Sequence, residues 1–362
     1  MSKRFIITII TLVVIAVAAA IAIFLAKGYT VSTKEKRIVG TGIINITSEP
    51  DAASVFIDGH LTTATNATVS SLAPKIYSVK VIKEGFIPWE REVEVKEGLV
   101  TPLKITLFPA IPTMYPLTFT GVANPVLSAD GSKLVFIVAS GKKAGVSVWT
   151  MSRNQPIAFA RSSEPHQITT NSEVDYSKAS LRWSPDSKQV LATVGKNNYL
   201  LNDDTLNTEP RDITAILDST LKSWDDDTKA KDLARIEAIK DLGTQKLASS
   251  SSILRFSPDE TKFMFAEENI KFKVYDIESK KQYDLPSAKS HVWLPDSRHV
   301  ILVDDNTVSV IDFDGTNKAV IYAGKFEDSF VFPWPDSSRL VIISSFPTPT
   351  ASEPNLYGIN LR

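Results

Sequence analysis

A short motif returns through the second half of the chain: Ser184-Pro185-Asp186-Ser187, Ser257-Pro258-Asp259-Glu260, Leu294-Pro295-Asp296-Ser297 and Trp334-Pro335-Asp336-Ser337. A weaker copy, Ser128-Ala129-Asp130-Gly131, precedes them. Each copy runs into an apolar stretch, such as Val190-Leu191-Ala192 or Leu340-Val341-Ile342. Repeats constrain architecture before any other feature does. Successive copies from Asp259 onward lie roughly forty residues apart, and each interval holds four short strand-like segments, which is the content of one propeller blade.

The motif itself reads as a turn. Proline presets φ at the first corner, and the aspartate carboxylate accepts backbone N–H groups within the turn. A carboxylate in every blade is more than a single site needs. Asp130, Pro185, Asp186, Pro258, Asp259, Pro295, Asp296, Pro335 and Asp336 are therefore expected to be structural. The residue before the motif is often large (Trp183, Phe256, Trp293) and suits the space between blades. The region resembles the WD40-like, TolB-type propeller family, whose repeat reads W-S-P-D-G; Trp183-Ser184-Pro185-Asp186 matches it, and Asp130-Gly131 keeps its glycine. The resemblance implies a fold and no particular activity. Five blades are clear and six are allowed. Met114–Phe119 is expected to supply the strand that the last blade lacks and so close the ring.

The spacing breaks once. Asp186 to Asp259 is nearly twice the usual interval, and the excess, 213–242, is rich in Asp, Lys, Ala and Leu. Leu221, Trp224, Leu233, Ile236, Ile239 and Leu242 recur at helical spacing, with Gly243 as a stop. This predicts a helical insertion, with a degenerate extra blade as the competing account. Asp225-Asp226-Asp227 lacks the alternation of a calcium loop and is expected in a first helical turn, where carboxylates complement the dipole. Trp224 is the one aromatic expected to meet a partner.

Toward the amino terminus, Phe5–Ala26 is apolar apart from Thr8 and Thr11. As a helix it would measure roughly 33 Å, against a hydrocarbon core of about 30 Å. It predicts a transmembrane helix contacting the membrane through Phe5 to Ala26, after a head at 1–4 containing Lys3 and Arg4. A cleaved signal peptide is the rival, but the run is long for one, and Ala18-Ala19-Ala20 sits inside it. Lys27, Lys34, Lys36 and Arg37 favour the opposite topology by simple count. A short basic head is nonetheless how export signals begin. The expected arrangement is a single-pass cell-membrane protein, amino terminus inside and bulk outside. Residues 27–41 read as a polar linker.

Residues 42–109 alternate with period 2 over short segments, and Ser54-Val55-Phe56-Ile57 runs into the hairpin signal Asp58-Gly59. A small antiparallel β-sandwich is expected. Ser48-Glu49-Pro50-Asp51-Ala52-Ala53-Ser54-Val55-Phe56-Ile57-Asp58-Gly59, Leu72-Ala73-Pro74-Lys75-Ile76-Tyr77-Ser78-Val79 and Lys83-Glu84-Gly85-Phe86 together resemble a PEGA domain. Ala52 and Lys75 stand where the family's glycines are usual. The resemblance implies an extracytoplasmic surface module without catalytic residues. A proline-rich connector (Pro109, Pro112, Pro116) then leads into the propeller, 110–362.

Net charge is -1, which gives no basic field for nucleic acid, and the chain has no cysteine, which removes thiol nucleophiles and cysteine-based zinc sites. No P-loop, dinucleotide fingerprint, G-x-S-x-G elbow or clustered histidines occur, so no catalytic, cofactor or metal residue is assigned. The resulting expectation is a mainly β, non-enzymatic envelope protein that binds a protein or an envelope polymer. A hydrolase or lyase working at the propeller channel, and a structural spacer, are the alternatives.

Overall fold

The computed structural model describes residues 3–26, 29–32, 37–151, 164–267, 271–327, 330–345 and 353–362. Contacts divide the chain into two units: residues 1–111 with Arg362, and 112–361.

The first unit begins with helix α1, Lys3–Ala26. Thr11 donates its hydroxyl to the Ile7 carbonyl one turn back, which keeps it satisfied on an apolar helix. Side chains are described for Ile7 and Ile9–Ala22, and all of them are exposed. Among the described residues no helix is long and apolar enough to cross a membrane, so the structure does not support the spanning helix expected over Phe5–Ala26. The segment read as a linker carries a β pair instead: Tyr29–Ser32 runs antiparallel to Arg37–Gly40. Tyr29-Thr30-Val31 and Ile38-Val39 are strand formers, and that local preference prevails over the polar composition around them.

Residues 42–106 form two facing sheets, Ala67–Leu72/Gly42–Glu49/Val100–Thr106 and His60–Ala64/Ser54–Ile57/Ile76–Ile82/Trp89–Glu94. Alternate residues point inward, so Ile44, Ile46, Val55, Val79, Val81 and Ile105 share one core. Not every pairing is antiparallel, as had been expected. Gly42–Glu49 and Val100–Thr106 run parallel, because the last strand returns beside the first after the chain has built the other sheet. Asp58 and Gly59 have φ of 49° and 81°, the conformation of a two-residue primed hairpin turn. Lys75 reaches Asp58 at 2.7 Å, and Ser78 N–H donates to the same carboxylate at 3.0 Å, which lowers the Asp58 pKa. Ala52, where the family has glycine, sits at φ 53°.

Among the described residues the second unit is a propeller of five four-stranded antiparallel sheets. Blade 1 starts at Ala123–Leu127, blade 2 at Ser180–Trp183, blade 3 at Leu254–Phe256, blade 4 at Ser290–Trp293 and blade 5 at Val331–Pro333. Met114–Pro116 pairs with Asn355–Asn360, so the start of the unit completes the blade made by its end. No further sheet lies between blades 2 and 3 among the described residues. The long interval there holds α2, Leu217–Glu237, and α3, Leu242–Ser250.

The insertion thus runs past 242, and Gly243 lies in the first turn of α3 rather than at a stop. Asp241 is what divides the helices: it caps α3, accepting from Thr244 N–H at 3.0 Å. Asp225-Asp226-Asp227 falls in the middle of α2, where only Asp218 occupies the first turn. The dipole role expected for that acidic run is therefore incorrect. Leu233 and Leu242 are exposed, so the helical spacing overstated the buried face.

Candidate functional site

The repeated turns are built alike. In every copy the N–H three residues after the first motif position returns to that position's carbonyl: Gly131 to Ser128, Ser187 to Ser184, Glu260 to Ser257, Ser297 to Leu294 and Ser337 to Trp334, at 2.8–3.0 Å. The returning residue is always left-handed, with φ between 58° and 69°. The carboxylates point into their own turns. Asp186 accepts from Ser184 Oγ at 2.6 Å and Lys188 N–H at 3.2 Å. Asp259 accepts from Ser257 Oγ at 2.7 Å, Asp130 from Ser128 Oγ at 2.6 Å, and Asp336 from Ser338 N–H at 2.8 Å. The serine hydroxyl bond is the main force lowering the Asp186 pKa. The five motif carboxylates are dispersed one per blade and do not converge.

Blade 4 solves the turn differently. Leu294 stands where blades 1 to 3 have a serine, and His299 supplies what that hydroxyl gives there. Its Nδ1 lies 2.5 Å from Asp296 Oδ2 and its Nε2 3.1 Å from Asp312 Oδ1, with His299 and Asp312 buried and Asp296 nearly so. Burial opposes charging the ring, but the two carboxylates outweigh it and raise its pKa to about 9. Sequence reading missed this cluster, although the paired change to leucine and histidine was its visible signal. Among the described residues no group of three or more His, Asp or Glu is placed to hold a metal ion.

The blade junctions differ in kind. Blades 1 and 2 share one core (Val135, Val148, Trp183, Val190), as do blades 1 and 5 (Phe136, Trp149, Phe332, Trp334) and blades 3 and 4 (Met264, Val274, Trp293, Val300). Between blades 2 and 3 there are two separate clusters. Leu191 and Leu200 of blade 2 pack with Ile213, Leu217, Leu221 and Trp224. Phe263 and Phe265 of blade 3 pack with Ile236, Ile239, Leu247 and Ala248. α2 lies on blade 2, while its last turn (Ile236) and α3 lie on blade 3, so the helical pair takes the place a sixth blade would fill. Trp224 is consequently only 8% exposed. It anchors α2 on blade 2, which leaves little of it exposed for the partner contact expected of it.

The inner strands of blades 2 and 3 carry Arg182 and Arg255, each one residue before the large aromatic. Both guanidiniums are engaged by neighbours. Arg182 pairs with Asp225 of α2 at 2.7 Å, and Arg255 donates to the His291 carbonyl at 2.5 Å.

A concavity opens on blade 3 near Phe272, which Arg255 approaches. A cleft of about 1030 Å³ runs between the end of α3 and blade 3. Phe265, Phe272 and Leu285 give it an apolar floor; Ser251, Lys271 and Asp284 are among its polar walls. Phe272 is held rigidly: His291 of blade 4 stacks on it with ring centroids 4.4 Å apart, and Arg255 lies 5.8 Å from its centroid. His291 is itself fixed by a hydrogen bond from Nε2 to the Pro286 carbonyl at 2.9 Å, and burial lowers its pKa. A rigid aromatic floor with polar walls of both charges suits a polypeptide or polymer segment rather than a small anion. Sequence reading missed the cleft because its α3 wall lies beyond 242.

Residues 41–111 match the family model described as the PEGA domain. No curated protein matches the chain. Among solved structures the chain is similar to a TolB from Agrobacterium tumefaciens at 13% identity, covering 75% of this chain and 87% of that one, with a TM-score of 0.25. It is likewise similar to TolB from Acinetobacter baumannii at 11% identity, covering 78% and 59%, with a TM-score of 0.24. The blade count rests on the hydrogen-bonded sheets alone.

Proposed function

We propose that this chain, a PEGA domain followed by a five-bladed propeller, is a non-enzymatic, membrane-anchored protein of the cell envelope that binds a protein or envelope-polymer segment in the cleft between α3 and blade 3. The anchoring part rests on the sequence: twenty-two residues from Phe5 to Ala26 without a charge, behind Lys3 and Arg4. The envelope part rests on the PEGA match at 41–111 and the propeller fold.

The observation that carries the binding part is the cleft, with Phe272 clamped between His291 and Arg255 at its floor. Binding energy concentrates where a rigid aromatic contact is rimmed by polar groups. The motif aspartates, satisfied inside their own turns, leave the cleft as the better place to seek a ligand.

Affinity capture from native membranes tests the reading, using the intact chain in detergent and a Ser251→Trp variant that fills the cleft. A partner should be retained by the unmodified chain and reduced about tenfold or more by the variant. Equal recovery by both would remove the cleft from the proposal.

A further inference from the structure

We propose that α2 is a releasable strap: it opens by local unfolding, baring Leu191 and Leu200, while α3 and all five sheets stay folded. This is independent of the binding reading and holds whether or not the cleft takes a partner.

The first ground is what is missing at this junction. At the junctions of blades 1 and 2 and of blades 3 and 4, the neighbouring blades latch directly. Trp183 Nε1 donates to the Val126 carbonyl and Trp293 Nε1 to the Arg255 carbonyl, both at 2.9 Å. The turn serines add a second latch, Ser187 Oγ accepting from Asp130 N–H at 3.3 Å and Ser297 Oγ from Asp259 N–H at 3.0 Å. Blade 3 carries Phe256 and Glu260 at the corresponding places. Phenylalanine has no N–H to donate, and Glu260 turns to Arg235 of α2 at 2.9 Å. Pro185 of blade 2 likewise receives Lys231 of α2, at 2.8 Å.

The second ground is how lightly α2 is held. Of its 21 residues only Trp224 is buried. Its ion pairs to the blades, Arg182–Asp225 and Arg235–Glu260, have all four side chains about half exposed, so water competes for each of them. α2 meets the buried Phe263 and Phe265 only through Ile236 in its last turn, whereas α3 covers them with Leu247 and Ala248 and its Thr244 Oγ1 reaches Tyr275 OH at 3.1 Å. The two ends of α2 are also fixed, by the buried Ile213 and Ile239, so the segment can open without freeing its neighbours.

The third ground is packing. Besides the large cleft, concavities of about 560 and 450 Å³ border the same helical pair, the smaller one lying directly between α2 and the Ser184–Asp186 turn. Few buried contacts and solvent-exposed bonds mark the segments that open first.

Hydrogen exchange read by mass spectrometry on the full chain in detergent tests this. Amides of Leu217–Glu237 should exchange at least about a hundredfold faster than those of Gln189–Val194 and Lys262–Glu267. Trp224→Ala should speed α2 by about tenfold or more and leave the strands unchanged, with Trp224→Phe close to the unmodified chain. If α2 exchanges together with the strands of blades 2 and 3 in one step, or Trp224→Ala speeds strands and helix alike, α2 is an integral part of the ring and the proposal fails.

Discussion

His299 Nδ1 sits 2.5 Å from Asp296 Oδ2, a buried imidazole standing where blades 1 to 3 use a serine hydroxyl. The raised histidine pKa sets the sign of a pH dependence. Its stabilisation is complete below the unfolded value near 6.5 and is lost as pH rises through about 9. Asp296 is shifted down: burial raises it most, but the His299 bond, the His299 and Arg298 charges and the Arg298 N–H together outweigh that, so its share is lost only in acid. Urea denaturation of the full chain should show stability falling between roughly pH 6.5 and 9. His299→Leu should cost about 3–5 kcal/mol near neutral pH, because it leaves Asp296 and Asp312 buried without their cation, and should flatten that alkaline slope. An unchanged slope would mean that the imidazole is neutral.

The left-handed turn residue gives a paired test. Ser297 holds φ 59° and latches to Asp259, whereas Glu260 holds φ 59° and makes only an exposed ion pair. Glycine relieves roughly 1 kcal/mol of left-handed strain. Glu260→Gly should therefore be neutral or stabilising by up to about 1 kcal/mol, since exposed pairs contribute little. Ser297→Gly should gain nothing, because it loses a hydrogen bond of about the same size. Denaturation midpoints of the two variants, compared with the unmodified chain, check the difference.

Ala52 keeps φ 53° in the PEGA domain without the glycine the family favours there. Ala52→Gly should stabilise this unit by about 1 kcal/mol, the left-handed relief exceeding the added freedom of the unfolded chain. Slower exchange of the Ser54–Ile57 amides would report it. Destabilisation would mean that the loop is not strained.

Topology is open to direct measurement. With the amino terminus inside, trypsin added to intact cells should cut the exposed basic sites of α2, such as Lys229, without lysis. Protection of those sites that persists in spheroplasts with an intact cytoplasmic membrane would place the propeller on the cytoplasmic side.

The repeat made the blades legible, because proline, aspartate and a left-handed position recur with a mechanical purpose. The closing strand was legible too, since a blade short of one strand needs a partner and Met114–Pro116 supplies it. The parallel pairing in the PEGA domain was not, because alternation reports which face is buried and not strand direction. The insertion was half legible. Helical spacing revealed α2 but could not say that Trp224 faces a blade, because an apolar stripe looks the same whether it meets its own domain or a partner. The cleft was invisible, since Ser251, Phe272 and Leu285 come together only when three chain segments meet. The wedge also changes what deletion can show: removing 213–242 would strip the cover from Leu191 and Leu200, so loss of a partner would not by itself locate the binding surface.

The most direct measurement is site-specific photo-crosslinking in intact membranes, with a benzophenone amino acid at Ser251 in the cleft or at exposed Lys178 on the chain leading into blade 2. A discrete adduct from Ser251 with none from Lys178 is the predicted result. Adducts of equal strength from both positions, or none from Ser251, would contradict a propeller that binds its partner in this cleft.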